Sequence, residues 1–131
     1  MIVIDTSAFV AILNKEPERA AMLAAIAVVE RRLVSAVTVL ETRMVMRGRI
    51  GATGVADFNQ MLEDMSAEIV AFDTAQANAA FDAFNIWGKG IHAAARLNFG
   101  DCISYALAKS LNVPLLYKGF DFAATDIKGA L

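Results

Sequence analysis

The chain has 131 residues, and at about 150 residues per domain we expect residues 1–131 to form a single domain. Its composition, 57 % hydrophobic and 20 % charged residues with one cysteine, excludes a disordered protein or one held together by internal disulfides. The longest apolar run, residues 20–29, is about half the length of a membrane span, so we expect a cytoplasmic protein without membrane contact. The net charge of −2 argues mildly against a nucleic-acid partner, because such proteins usually carry a basic surface.

The predicted elements alternate between strands and helices along the chain. In order, they are a strand at 2–4, helices at 6–14 and from Pro17 to about Arg32, a strand at 32–36, helices at 37–49 and 53–65, a strand at 68–72, a helix at 74–87, a loop at 88–100, a helix at 101–111, a strand at 113–117 and a fifth short strand after Asp121. Helices between strands imply right-handed crossovers, so the pattern predicts an α/β fold with a parallel sheet of four or five strands. Ligands of such sheets bind beyond the carboxyl ends of the strands.

Three aspartates fall at those positions. Asp5 follows the first strand, Asp101 opens the last long helix and Asp121 follows the fourth strand. Each has a plain structural alternative: Asp5 and Asp101 could be helix caps, and Asp121 could be a turn residue. We expect Asp126 to cap or to hydrogen bond locally, with membership of the acidic cleft as the alternative.

Glu41 is the fourth acidic candidate. On the helix at 37–49 the residues Val37, Leu40, Met44 and Gly48 recur at steps of three and four, which predicts a core-facing stripe with Glu41 at its edge. Buried carboxylates are rare unless they are paired or bind a metal. The alternative is a rim glutamate that reaches water or pairs with an arginine.

These acids point to a divalent cation if the sheet gathers them at one edge. Several like charges cannot share a dry cleft without a cation or raised pKa values. No histidine or cysteine accompanies them in the pattern, which disfavours zinc, and oxygen ligands alone suit Mg²⁺ or Mn²⁺. Such an ion activates water toward a phosphodiester and offsets substrate charge, so an acidic protein can still bind nucleic acid.

The same residues resemble a known family. The matching segments are IVIDTSA at residues 2–8, Glu41, NFGDC at 98–102 with YALA at 105–108, and LYKG at 116–119 with DF at 121–122 and TDI at 125–127. Together they resemble a PIN domain, with the greatest similarity to the VapC-type toxins of toxin–antitoxin pairs.

The resemblance implies a three-layer α/β/α sandwich and an endoribonuclease that depends on Mg²⁺ or Mn²⁺. Asp5, Glu41 and Asp101 match its principal metal-binding acids, Asp121 matches a more variable fourth acid, and Ser7, with Thr6 beside it, matches a small hydroxyl position. It also implies a homodimer and a cognate antitoxin. One departure is Phe120, which stands where these toxins often have asparagine or aspartate.

Five basic side chains are candidates for RNA contact. Arg43 and Arg47 lie one turn apart on the helix of Glu41, with a solvated helix face as the alternative. Lys89 and His92 lie in the loop before Asp101, where an exposed histidine without a role is the alternative. Lys118 either contacts RNA or closes the sheet edge.

The all-apolar helix around residues 20–29 needs cover on more than one side, so part of it is expected to meet a second chain, either another subunit or an antitoxin. Two other functions compete with the nuclease. One is a non-catalytic PIN-like module that acts only with its antitoxin in operon repression, and divalent-ion binding discriminates it. The other is a phosphotransfer receiver or phosphatase using Lys118, which leaves Glu41 and Asp101 unexplained.

Overall fold

The computed structural model describes all 131 residues, with ten helices and strands in the predicted order. They are β1 (Ile2–Ile4), α1 (Thr6–Leu13), α2 (Arg19–Ala27), β2 (Arg32–Ser35), α3 (Ala36–Arg49), α4 (Ala52–Asp64), β3 (Glu68–Val70), α5 (Thr74–Trp87), α6 (Phe99–Leu111) and β4 (Leu115–Leu116), followed by a 3₁₀ turn at Phe122–Ala124.

The four strands form one parallel sheet in the order β3-β2-β1-β4. Strand β1 is central: Val3 pairs with Leu33 of β2 on one side and with Leu115 of β4 on the other. Because all strands run the same way, the segments that follow β1, β2 and β4 leave the sheet at one edge. That edge carries Asp5 directly after β1.

Helices cover both faces of the sheet, so the fold is the expected three-layer α/β/α sandwich. Alternate residues of a strand point to opposite faces. Ile2 and Ile4 accordingly join the core formed with α1 to α4, whereas Val3 joins the core formed with α5 and α6. The all-apolar run of β1 is therefore buried on both sides.

Several expected boundaries differ from the structure, and strands β3 and β4 are both shorter than predicted, at Glu68–Val70 and Leu115–Leu116. Helix α2 is shorter than predicted, Arg19–Ala27, because the chain must turn after Val28 to bring Arg32 into register with Ile2. Helix α6 begins two residues early, at Phe99. The fifth strand is absent: the chain after Asp121 forms the 3₁₀ turn and then meets the two-residue β4 at a single bridge, between Leu115 and Gly129.

The predicted core-facing stripe of α3 is also wrong. Leu40 and Met44 are 57 % and 66 % exposed, whereas the buried positions of this helix are Thr38, Val39, Thr42 and Met46. The two threonines are buried because their hydroxyls have partners; Thr42 Oγ1, for example, donates to the carbonyl oxygen of Thr38 at 2.8 Å. A threonine whose hydroxyl hydrogen bonds within its own helix can be buried, so a pattern of hydrophobic residues does not identify the core-facing side of this helix.

None of the helices has both the length and the apolar character needed to cross a membrane. Cys102 is a free thiol buried in the core between the sheet and α6, as its small apolar character predicts.

Candidate active site

Asp5 is a buried carboxylate at the end of β1, with only 3 % of the residue exposed. It is the N-cap of α1, as one of the two alternatives predicts, and its Oδ2 accepts hydrogen bonds from Ser7 N at 2.9 Å and Ser7 Oγ at 2.7 Å. Its Oδ1 accepts a third from Ser104 Oγ at 2.6 Å. Three donors on two oxygens fix the direction in which this carboxylate points.

Ser7 links two strands of the sheet at this edge. Its hydroxyl donates to Asp5 and accepts the backbone N–H of Lys118 at 3.0 Å, two residues after β4. The hydroxyl position expected behind Asp5 therefore holds both the acid and the segment that follows β4.

Glu41 faces Asp5 from α3 and is partly buried. Thr6 Oγ1 donates a hydrogen bond to Glu41 Oε1. Burial raises the pKa of the Glu41 carboxyl, the Thr6 hydrogen bond partly opposes that rise, and the charge of Asp5 adds to it. The carboxylate packs against the backbone of Gly100, where an added Cβ would lie only 2.1 Å from Glu41 Oε2. Only glycine leaves room for this contact.

Asp101 lies in the first turn of α6 and takes part in capping that helix, as the structural alternative predicts. It forms a capping box with Asn98: Asn98 N donates to Asp101 Oδ2 at 3.0 Å, and Asp101 N donates to Asn98 Oδ1 at 2.9 Å. Burial raises the Asp101 pKa most, the Asn98 hydrogen bond opposes the rise, and the charges of Asp5, Asp121 and Glu41 add to it, which brings the pKa to about 7. The electrostatics of this corner therefore favour a positive charge beside Asp101.

These acids line one cleft of about 300 Å³ at the carboxyl edge of the sheet. Its walls are formed by Asp5, Thr6, Ser7, Val10, Glu16, Glu41, Val45, Arg49, Asn98, Asp101 and Lys118. Asp121 is exposed and lies outside this lining, although its charge acts on Asp101. The fold thus brings three of the four predicted acids together and leaves the fourth near the rim.

The chain matches the model of a known protein family over nearly its whole length. The model of the PIN domain matches residues 2–128. The chain belongs to the PIN-domain family. It is 45 % identical to the VapC ribonuclease Mb0640 of Mycobacterium bovis over 125 residues, 95 % of each chain. It is 46 % identical to a Ribonuclease VapC of Mycolicibacterium smegmatis over 125 residues, 95 % of this chain and 96 % of that protein.

Solved structures share the fold of this PIN domain. Mycobacterium tuberculosis VapC20, described as a sarcin-ricin loop cleaving toxin, superposes with a TM-score of 0.79 at 16 % identity over 97 % of this chain and 96 % of that one. VapBC2 from Rickettsia felis, bound to a DNA fragment from its promoter, gives 0.74 at 16 % identity over 98 % and 96 % of the two chains. At these identities the likeness establishes the fold.

The donor set of the PIN-domain cleft fits a hard divalent cation. Asp5, Glu41 and Asp101 offer carboxylate oxygens only, and Glu41 and Asp101 have raised pKa values, which a nearby cation lowers. No three acidic, histidine or cysteine side chains lie close enough together to chelate one ion directly. The fit therefore rests on the donor chemistry, which suits an ion that keeps several of its waters.

Lys118 is the one predicted RNA contact that lines this cleft, and it is already ion-paired. Its Nζ donates a hydrogen bond to Glu16 Oε1 and lies 3.3 Å from Glu18 Oε2, without the geometry of a hydrogen bond in the second contact. The bond to Glu16 raises the pKa of Lys118. Its charge is therefore largely neutralised within the protein.

The other four predicted RNA contacts of this PIN domain lie outside the cleft. Arg43 Nε donates to Asn59 Oδ1 at 2.9 Å, bridging α3 to α4, and Arg47 points toward the turn at Gly51. Lys89 and His92 line a separate depression. The structure therefore does not place them beside the acids, and their contact with RNA stays a prediction.

The loop histidine and Asp126 both have structural partners. His92 Nδ1 accepts the backbone N–H groups of Ala94 and Ala95, at 3.2 and 3.0 Å. Asp126 accepts the hydroxyl of Tyr105 and, at 2.7 Å, Lys109 Nζ. Asp126 thus hydrogen bonds to α6 rather than locally in the chain, and it does not line the acidic cleft.

Four polar or charged residues of the site were not assigned a role from the sequence: Glu16, Arg49, Asn98 and Ser104. Asn98 had a usable signal, because an asparagine three residues before an acid at the start of a helix is a capping-box pattern. Ser104 had a weaker one, since it follows Asp101 by about one helical turn. Glu16 lies in a turn whose approach to Lys118 is set by the tertiary fold.

Proposed function

We propose that this PIN domain is the toxin of a toxin–antitoxin pair and acts as an endoribonuclease that depends on Mg²⁺ or Mn²⁺. The observation that carries the proposal is the convergence of Asp5, Glu41 and Asp101 on one cleft. Full-length relatives at 45 % identity that are named ribonucleases support it.

In this proposal Asp5, Glu41 and Asp101 would hold the divalent ion, in part through its bound water molecules. When bound, such an ion neutralises charge at the scissile phosphate and lowers the pKa of a water molecule. Asp5 is held in one orientation by Ser7 and Ser104, so its carboxylate needs little reorganisation before the reaction. Asp121, at the rim, assists through water.

The net charge of −2 is compatible with an RNA substrate. Part of the negative charge lies in the cleft, where Asp5, Glu41 and Asp101 would face the cation. The objection raised by the overall charge therefore loses force, because metal ligands are counted in it as if they were surface acids.

The proposed antitoxin has a candidate surface away from the acids. A groove between α1, α2 and α4 is lined by apolar residues that include Leu13, Leu23, Ile26 and Met61, with Arg19 among the charged residues at its rim. An apolar groove of this kind suits the apolar face of an amphipathic helix. Solved toxin–antitoxin complexes with the same fold, from Rickettsia felis and Klebsiella pneumoniae, support a partner of this type.

The proposed homodimer requires a further surface. An apolar depression between α5 and α6 is lined by aromatic side chains, of which Phe81 and Phe99 are largely exposed. Sedimentation of the purified protein across a concentration series would measure the assembly state.

The variant Asp5→Asn tests the nuclease. An asparagine can keep the Ser7 N–H bond through its oxygen, and the Ser104 hydroxyl can turn to accept from its NH₂ group, so the fold is expected to persist without the charge. We expect wild-type protein to cleave cellular RNA with Mg²⁺ or Mn²⁺ and to stop when EDTA is added. We expect Asp5→Asn to be inactive with a near-normal melting temperature, and undiminished cleavage by this variant would overturn the assignment.

Calorimetry of the wild type with Mn²⁺ separates the nuclease from the non-catalytic module. Binding that weakens in Asp5→Asn supports the nuclease. A folded wild-type protein that neither binds Mn²⁺ nor cleaves RNA would instead indicate a module that acts only with its antitoxin.

A further inference from the structure

One face of α3 runs along the wall of the cleft. Glu41, Val45 and Arg49 follow each other at steps of four residues and all line it. Eight residues of helix correspond to about 12 Å along the axis. Arg49 therefore stands about two turns away from Glu41, on the same wall but toward the end of the helix.

The two cations of the cleft differ in what surrounds them. Lys118 is held between Glu16 and Glu18. Arg49 is exposed, forms no ion pair and makes no side-chain hydrogen bond. Its guanidinium is thus the cleft's available positive group, and it carries the planar fork of donors that matches a phosphate.

We propose that Arg49 binds a phosphate of the RNA strand that neighbours the phosphate being cleaved. The inference rests on the proposed nuclease function. Because the backbone of Arg49 lies about two helical turns from that of Glu41 along the same wall, a phosphate next to the reacting one is the partner we assign to its guanidinium. Arg49 therefore contributes to RNA affinity and to the register of the strand, and the chemical step proceeds without it.

The proposal also explains how an acidic cleft retains a polyanion. Asp5, Glu16, Glu41 and Asp101 line the cleft, and Glu16 is matched by Lys118. A divalent ion offsets most of the charge of the other three acids, and Arg49 is the protein group that attracts the flanking phosphate.

The test compares Arg49→Gln with Arg31→Gln. Arg31 is an exposed arginine that precedes β2 and pairs with Glu68. Its substitution removes the same charge at the opposite edge of the sheet. Binding of a fluorescein-labelled single-stranded RNA oligonucleotide is measured in the Asp5→Asn background over a range of salt concentrations. Cleavage kinetics are measured in the wild-type background with Mn²⁺.

We expect Arg49→Gln to weaken RNA binding about three- to tenfold and to reduce the slope of log affinity against log salt by about 1. In cleavage we expect a raised KM and a kcat within about twofold of the wild type. Arg31→Gln should leave the affinity, slope and kinetics unchanged. Arg49→Lys, which retains the charge without the fork, should restore the slope.

Two results would overturn the proposal: an unchanged salt slope in Arg49→Gln, or a loss confined to kcat. Failure of the nuclease itself is distinguishable. If the wild type does not cleave RNA but the salt slope of binding still depends on Arg49, the phosphate site stands and the nuclease assignment falls.

Discussion

Ser104, on α6, donates a hydrogen bond of 2.6 Å to Oδ1 of Asp5, a residue 99 positions earlier in the chain. The Ser104 hydroxyl also lies 3.3 Å from Thr38 Oγ1, so β1, α3 and α6 meet at this buried group. Asp101 stands one turn before Ser104 on the same helix. Helix α6 therefore contributes Asp101 to the cleft and also orients Asp5 through Ser104.

Replacing Ser104 with alanine should affect both stability and activity. The change removes a donor from a buried carboxylate oxygen, which costs about 1–3 kcal/mol of the free energy of unfolding. We expect a lower melting temperature and reduced RNA cleavage. Ser110→Ala, an exposed serine near the end of the same helix, is the control and should retain full cleavage. Equal activity of Ser104→Ala and the wild type would show that the orientation of Asp5 does not depend on this bond.

Replacing Gly100 with alanine should displace Glu41. The added Cβ would lie 2.1 Å from Glu41 Oε2, and the carboxylate is the end of a flexible side chain, so Glu41 moves while the helix stays folded. We expect cleavage to fall by at least about tenfold with a small change in melting temperature. Gly48→Ala on α3 has open space around it and should raise stability by about 0.5–1 kcal/mol with activity intact. Normal cleavage by Gly100→Ala would count against a role for the position of Glu41.

The stability that Asp101 contributes to the metal-free protein should decline as pH rises from about 4 to about 7. The Asp101 pKa is about 7 in the folded protein against an ordinary value of 3.8, so between these values the folded state holds a proton that the unfolded chain has released. The stabilisation is complete below the lower value and absent above the upper one, and the raised pKa of Glu41 acts in the same direction.

Thermal denaturation in EDTA between pH 4 and pH 8 measures this effect. The difference between the wild type and Asp101→Asn isolates the contribution of Asp101, and we expect it to decline across the window. At pH 8, adding Mn²⁺ should raise the melting temperature of the wild type more than that of the variant. A pH-independent difference between the two proteins would contradict the burial of this carboxyl.

Asp121 and Asp126 should give opposite results when changed to alanine. Asp126 accepts hydrogen bonds from Tyr105 and Lys109, so its loss should cost about 1 kcal/mol of stability and leave cleavage intact. Asp121 makes no side-chain hydrogen bond at the start of the 3₁₀ turn but acts on Asp101 through its charge. We therefore expect Asp121→Ala to keep its melting temperature and to lose activity. Loss of activity in Asp126→Ala together with loss of stability in Asp121→Ala would contradict these assignments.

The order of elements was predictable because it depends on local signals. The first strand is a short β-branched run, Ile2 to Ile4, which is typical of a buried parallel strand. The helices are recognised by the length of their segments and by helix-breaking residues such as Gly51. The ends of elements were less predictable. Helix α6 begins at Phe99 because Asn98 supplies the cap, a feature that hydrophobicity does not record.

The position of the acids was predictable from topology, whereas their surroundings were not. Asp5 follows the central strand β1, and α6 begins at the same edge because it leads into the parallel strand β4, which brings Asp5 near Asp101. The argument for Glu41 used the wrong face of α3, because buried threonines and exposed Leu40 and Met44 reverse the usual pattern there. The free state of Arg49 and the pairing of Lys118 depend on distant segments and required the three-dimensional fold.

The hydrogen bond between Ser7 and the backbone of Lys118 has a consequence for chains whose synthesis is incomplete. A ribosome makes Asp5 and Ser7 about a hundred residues before Ser104, Asp101 and Lys118, the residues that orient or complete the cleft. A nascent or prematurely terminated chain that ends before Asp101 would contain Asp5 and Glu41. It would lack α6, the helix that carries Asp101 and Ser104. Such translation fragments are therefore expected to be harmless to the cell that makes them.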